Sequence, residues 1–132
     1  MARPAAVMTV PAEPVSAKEL AALRKLEKGG ATGIFSELAE LFAHSTPQLL
    51  SQACNALDDP TQLTMIAHTM KGSCATFGAY PMGALCLELE QRGRQGAGRD
   101  AREIINAIEK EFFNVRAALM NHSAGANNPS QL

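Results

Sequence analysis

The chain has 132 residues, 46% of them hydrophobic and 19% charged, with a formal net charge of −1. That length suits one domain with one modest core, and a balanced charge excludes bulk attraction to nucleic acid or anionic lipid, so any partner must be recognised by a local surface. Cys54, Cys74 and Cys86 are odd in number, contain no CxxC pair and sit among helical apolar residues, which argues against a disulfide scaffold and fits reduced thiols in the cytoplasm.

The first stretch, MARPAAVMTVPAEPV, carries Arg3 but is broken by Pro4, Pro11 and Pro14 before a continuous apolar segment forms. It does not read as a secretory signal, and residues 1–15 are expected to be a flexible leader. No later run approaches the ~20 apolar residues of a membrane span. Ser16 followed by Glu19 has the spacing of a capping box, opening a short helix to about Lys28 that Gly29 and Gly30 stop. Ile34, Phe35, Leu38, Leu41 and Phe42 then recur at helical steps, and the pattern resumes after Pro47 through Leu49, Leu50, Ala53 and Leu57. This is one long helix kinked at Pro47, or two in sequence.

Asp59 and Pro60 form an N-cap and first-turn signal for the next helix, which Gly78 ends. Pro81 stands near another start, with Met82, Leu85, Cys86 and Leu89 as its apolar stripe and RGRQGAGR as its loose end. Asp100 is the expected cap of the last helix, striped by Ile105, Ile108, Phe112, Val115 and Leu119. HSAGANNPSQL, from His122 onward, is expected to be a disordered tail on composition. No segment alternates as a strand does. The fold class is all-α: an antiparallel four-helix bundle over residues 16–121 with a short extra N-terminal helix.

The helix after Asp59 contains AHTMKGSCATFG, residues 67–78. At about 100° per residue its apolar stripe is Leu63, Ile66, Ala67, Met70, Cys74 and Phe77, and His68 points roughly 150° away from the stripe's centre. Lys71 and Gly72 lie over the same surface, with Thr64 one turn before His68 and Ala75 two turns after. Glycine costs about 1 kcal/mol relative to alanine inside a helix, so Gly72 needs a compensating reason: clearance for a partner surface, or a close helix crossing. An outward imidazole beside one cation and small side chains suits acceptance of a phosphoryl group from another protein. Neutral imidazole is a competent nucleophile near neutral pH, and the ammonium offsets arriving charge.

AHTMKGSCATFGA resembles the signature of histidine-containing phosphotransfer (HPt) domains, in the pattern HxxKGSxxxxG, with His68, Lys71, Gly72, Ser73 and Gly78 as the matching residues. LAELFAHSTPQLLSQACNALDD resembles the helix before the site in bacterial members, and LCLELEQRGRQG the helix after it. The resemblance implies a four-helix bundle whose histidine is reversibly phosphorylated at Nε2 and exchanges the group with the aspartate of a response-regulator receiver domain in a multistep phosphorelay. By position it makes His68 the phospho-acceptor, Lys71 the charge partner and Gly72 the clearance residue. Thr64, Met65, Gly72 and Ala75, on the outer face around His68, are the expected partner-docking surface. Ser73 has no derived role beyond bonding backbone.

His44 has Pro47 where His68 has Lys71, and His122 closes a helix where its charge would favour the terminal carbonyls. Asp58 and Asp59 precede a helix start without a third ligand, so they read as capping residues, and no metal site is expected. No cofactor is expected in this chain; magnesium is expected in the receiver partner only. The expected partners are a receiver domain and a hybrid sensor histidine kinase, with no nucleic acid and no membrane, and the chain is expected to be a cytoplasmic monomer without turnover of its own. The alternative is a non-phosphorylated helical adaptor that binds a receiver or kinase through Leu87 and Met65; an enzymatic reading, with His68 as a general base, lacks a positioned acid or oxyanion donor.

Overall fold

A computed structural model of the chain describes residues 13–126. Five α-helices follow one another: α1 Ala17–Lys28, α2 Ile34–Cys54, α3 Pro60–Phe77, α4 Tyr80–Arg94 and α5 Arg102–Ala126, with a 3-10 turn at Gly98–Ala101 before the last. Helices α2 to α5 form the bundle, each packed against two neighbours in the order α2, α3, α4, α5 and back to α2, while α1 lies against α2 and α3.

Each helix is built from the pattern its sequence carries. Ile105, Ile108, Phe112, Val115 and Leu119 of α5 are all buried, and so are Met82, Cys86 and Leu89 of α4. At one end of the core the aromatic rings interlock: Phe42 lies 5.5 Å from Phe77 and 5.4 Å from Phe112, and Phe35 meets Phe77 edge-on at 6.3 Å. Such edge-to-face and tilted contacts suit the quadrupoles of the rings and fix the helices at that end. Asp59 caps α3, accepting from the Gln62 amide at 3.1 Å, and Pro60 follows at the first turn, where its missing N–H costs nothing. At the far end Gly78 adopts φ 64°, and the amide of Ala79 reaches back to the Cys74 carbonyl at 2.9 Å. Ser16 crowds the space a Gly78 side chain would need, so glycine is required there twice over.

At Pro47 the expectation of one long helix holds: α2 is continuous, with Thr46 and Leu50 on either side of Pro47 held in the core. Other expectations change. Leu41, expected on the α2 stripe, is 61% exposed; Phe42 takes the core position, and Leu41 turns to the flank facing α3. The capping box at Ser16 does not close: the Ser16 amide donates to the Phe77 carbonyl at 3.1 Å, tying the start of α1 to the end of α3 in place of Glu19. Asp100 does not cap α5, since it sits within the 3-10 turn and α5 begins at Arg102. Helix α5 also runs past His122 to Ala126, because that ring finds a packing site: it lies 5.1 Å from Phe35 and accepts a hydrogen bond from Arg24 Nε at 3.3 Å. Burial first, and then the Arg24 charge, lowers the His122 pKa, so it acts as a neutral packing residue and not as a cation at a helix end. Residues 1–12 of the expected leader and 127–132 of the expected tail lie outside the described residues.

The α3–α4 seam closes around a glycine. A Cβ on Gly93 would stand 2.5 Å from Thr64 Oγ1 and 3.0 Å from the Thr64 amide nitrogen. Backbone cannot move aside as a flexible side chain does, so Gly93→Ala is expected to lower stability by about 1–3 kcal/mol through overpacking. Chemical denaturation of the two proteins measures the difference; an unchanged midpoint would show that the seam tolerates a wider spacing.

Candidate functional site

The stripe of Leu63, Ile66, Ala67, Met70, Cys74 and Phe77 takes the inner side of α3, all six residues buried, and thereby turns His68 outward. The imidazole is 67% exposed. Met65 is 61% exposed, and Gly72 and Ala75 also face solvent. A Cβ built on Gly72 meets nothing within 4 Å, so Gly72 serves no helix crossing in this bundle. The crossing glycine is Gly93, which the sequence reading did not single out. Thr64 is half-buried against it, and its hydroxyl donates to the Pro60 carbonyl at 2.7 Å, which makes it part of the α3–α4 seam. Ser73 bonds backbone as expected, donating to the Thr69 carbonyl at 3.3 Å.

The residue that organises the site came from the next helix. Glu90 of α4 is 1% exposed, yet it is charged. Its Oε2 accepts from His68 Nδ1 at 3.0 Å and from an Arg94 guanidinium nitrogen at 2.8 Å, and its Oε1 accepts from Lys71 Nζ at 2.7 Å. The hydrogen bond from Lys71, joined by that from His68 and by the charges of Lys71 and Arg94, outweighs burial and holds the Glu90 carboxyl below the usual glutamate range. A carboxylate can only accept. The proton of the His68 ring is therefore assigned to Nδ1, and Nε2 is left as the nitrogen with a free lone pair.

Two surface features adjoin the ring. Thr64, Met65, His68, Thr69, Glu90 and Arg94 line a shallow depression of about 310 Å³. On the other side of Thr69 runs an apolar groove of about 410 Å³ between α2 and α3, with Leu38, Leu41 and Phe77 among its walls. Thr69 forms the ridge between the two. The exposed Leu41 finds its place here, in the wall of the groove and not in the core.

The signal for Glu90 was present in LCLELEQRGR. Counting from Met82 and Cys86 in steps of four reaches Glu90, so an acidic residue falls in phase with an apolar stripe, and Arg94 follows one turn later. A buried carboxylate in that phase needs cationic partners. Pairing it with Lys71 and His68 required the register of α4 against α3, which no single helix pattern contains.

A family model for the Hpt domain matches residues 37–118, from the first turn of α2 nearly to the end of the α5 stripe. The chain belongs to the Hpt domain family. Histidine-containing phosphotransfer protein 2 of Oryza sativa subsp. japonica is 21% identical over 94 residues, 68% of this chain; the chain spans 63% of that relative's length. The crystal structure of histidine-containing phosphotransfer protein B (HptB) of Pseudomonas aeruginosa PAO1 superposes with a TM-score of 0.73 at 26% identity, covering 84% of this chain and 95% of that one. That of ZmHP2 from maize gives a TM-score of 0.73 at 21% identity, over 82% of each chain. Helix α1 precedes the matched residues of this Hpt domain, and the whole His68, Lys71, Glu90, Arg94 cluster lies within them.

The remaining histidines of the Hpt chain stand elsewhere. His44 is exposed on α2 beside Gln48, at 3.3 Å, and His122 packs at the α1–α5 junction. Neither has a buried carboxylate among its described partners. Leu87, 41% exposed on α4, also lies outside the depression around His68.

Because folding lowers the Glu90 pKa, the network contributes stability above the unfolded value of about 4.3 and loses it as pH falls through the folded value. Lys71→Ala removes the largest cause of that lowering. The variant is expected to be less stable by about 1–3 kcal/mol at pH 7, the cost of a lost hydrogen bond to a buried charge. Its stability should begin to fall at a higher pH than the parent's, and the gap between the two should close once Glu90 is protonated. Urea denaturation at a series of pH values between 7 and 3 reads this directly; a gap independent of pH would remove Lys71 from the Glu90 network.

Proposed function

We propose that this chain is a phosphocarrier that takes a phosphoryl group onto His68 and passes it on, exchanging it with the aspartate of a response-regulator receiver domain in a multistep phosphorelay. Membership of the Hpt family supports the class of reaction. The observation that carries the assignment to His68 is its geometry: an outward ring whose Nδ1 is held by a buried carboxylate, leaving Nε2 free as a nucleophile.

In the forward step the Nε2 lone pair attacks the phosphorus of an aspartyl phosphate. The Nε2–P bond forms, the P–O bond breaks, and its electron pair returns to the aspartate carboxylate. Lys71, 34% exposed, keeps its ammonium near the arriving dianion while bonded to Glu90. The chain brings a positioned nucleophile and cations; in-line placement and the magnesium belong to the receiver. We read the chain as a carrier, which holds the phosphoryl group on His68 between two transfers, in keeping with its Hpt family. A pure adaptor gains nothing from a fixed imidazole tautomer, so the carrier reading accounts for more of the site.

Docking is assigned to the surface around the ring: Met65, Gly72 and Ala75 on α3, the edge of Thr64, and the groove beyond Thr69. No helix among the described residues is long and apolar enough to cross a membrane. Cys54, Cys74 and Cys86 are all free thiols, which supports a cytoplasmic setting. A hybrid sensor kinase, through its own receiver domain, is the expected source of phosphate, and the carrier is assigned as a monomer.

His68→Gln keeps size and polarity but removes the nucleophilic nitrogen. Transfer from a receiver charged with labelled acetyl phosphate is expected to vanish while the melting temperature changes little, and His44→Gln and His122→Gln should still accept label. Equal labelling of the His68 variant would overturn the assignment.

Gly72 separates docking from folding. Since its Cβ position is open, Gly72→Ala is expected to raise helix stability by up to ~1 kcal/mol. Gly72→Leu should fold as well as the parent yet accept phosphate more slowly, because its side chain stands one turn from His68 where the receiver approaches. Thermal melts paired with receiver titrations decide the matter, and full transfer by the leucine variant would contradict docking on this face.

A further inference from the structure

We infer that the negative charge of Glu90, beyond its hydrogen bond, sets how much phosphate His68 holds: it keeps the Nδ1 proton in place through transfer, so that the phosphorylated ring is an imidazolium paired with a buried carboxylate. This deepens the carrier reading and rests on it. Glu90 is thereby a positioning and charge-holding residue that acts through His68.

The charge balance of the step carries the argument. A neutral ring that forms the Nε2–P bond without losing its Nδ1 proton becomes a cation. In water that cation would share its proton with solvent. Here the proton points at an oxygen 3.0 Å away on a carboxylate that is 1% exposed, so water is largely excluded from it. An ion pair of that kind is stronger than the bond from a neutral N–H that it replaces, because both partners are then charged and the carboxylate is poorly solvated. The carboxylate therefore favours phosphorylated over free His68. It also keeps the group ready to leave, since breaking the N–P bond of a protonated ring releases neutral imidazole, whereas an unprotonated ring would have to leave as an anion. No proton changes hands in either direction, and no general base is needed.

The groups facing Glu90 set the opposing effect. Lys71 and His68 approach it from α3, and Arg94 from its own helix. One turn before it, the Cys86 thiol is pushed up by its contact with Cys74 and by burial, and stays neutral. Two cations thus surround one carboxylate. If Glu90 mattered chiefly as their counter-ion, removing its charge would free Lys71 and Arg94 for the phosphoryl group and would increase phosphorylation. The two roles predict opposite signs.

Glu90→Gln retains an amide oxygen able to accept from Nδ1 but removes the charge. Parent and variant are each equilibrated with the same receiver domain, charged with labelled acetyl phosphate, at several pH values from about 6 to 9, and the ratio of phosphohistidine to aspartyl phosphate is read. The variant, shown to be folded by its melt, is expected to hold at least about tenfold less phosphate at neutral pH, each factor of ten being one pKa unit of interaction. Its ratio relative to the parent should fall further as pH rises and the unpaired ring loses its proton. An unchanged ratio, or one shifted toward His68, overturns the inference while leaving the carrier reading intact; a parent that takes no label defeats the carrier reading and the inference with it. Should the variant fail to fold, the parent alone decides. After phosphorylation with phosphoramidate, the ¹⁵N resonance of His68 Nδ1 should show its proton retained to higher pH than in free phosphohistidine in the same buffer, and an identical titration would overturn the inference.

Discussion

The site depends on one buried charge. Glu90 sits in phase with the apolar face of α4 and is 1% exposed, where an uncompensated carboxylate would be costly. Three donors repay that cost: Lys71 and His68 from α3, and Arg94 from one turn further along α4. The same bonds lock the register of the two helices, fix the imidazole ring and select which nitrogen carries the proton. Breaking such an arrangement by removing one partner is more damaging than its modest net contribution suggests, because a buried charge is left short of partners. Stability and the orientation of the imidazole are thus linked through a single side chain.

That network requires α3 and α4 to lie close together. Gly93 permits it by letting the Thr64 backbone approach, and the aromatic cluster of Phe35, Phe42, Phe77 and Phe112 fixes the end of the bundle away from Asp59. Ser16, bonded to the Phe77 carbonyl, ties α1 to that end. On the outer side the constraint is reversed. Gly72 has open space, Met65 is exposed, and Leu41 stands in the groove beyond Thr69, so the face around His68 combines a polar centre with apolar margins. Such a face fits a partner that docks by apolar contact and exchanges charge at the middle.

Much of this was legible in the sequence, for reasons that are local. The α3 stripe, the Asp59 cap, the Gly78 terminator and the outward phase of His68 each follow from spacing within one helix. The elements that failed are those whose outcome depends on packing between helices. Glu19 had the spacing of a capping box, but the Ser16 amide found the Phe77 carbonyl first. His122 stood in a polar, small-residue stretch that reads as a tail, and Phe35 with Arg24 gave it a packing site that prolongs α5. Gly72 and Gly93 are alike on paper, and only the α3–α4 seam distinguishes the open glycine from the crossing one. Glu90 is the largest omission. Its phase was visible, whereas two of its three partners lie 19 and 22 residues away on another helix.

The central claim is that Nε2 of His68 carries the phosphoryl group because Glu90 holds the proton on Nδ1. The most direct measurement is ¹⁵N and ³¹P NMR of histidine-labelled protein after exchange with a phosphorylated receiver domain. Phosphorus coupling at Nε2 of His68, with Nδ1 still protonated, is the predicted result. Coupling at Nδ1, or phosphorus on the ring of His44 or His122, would contradict it.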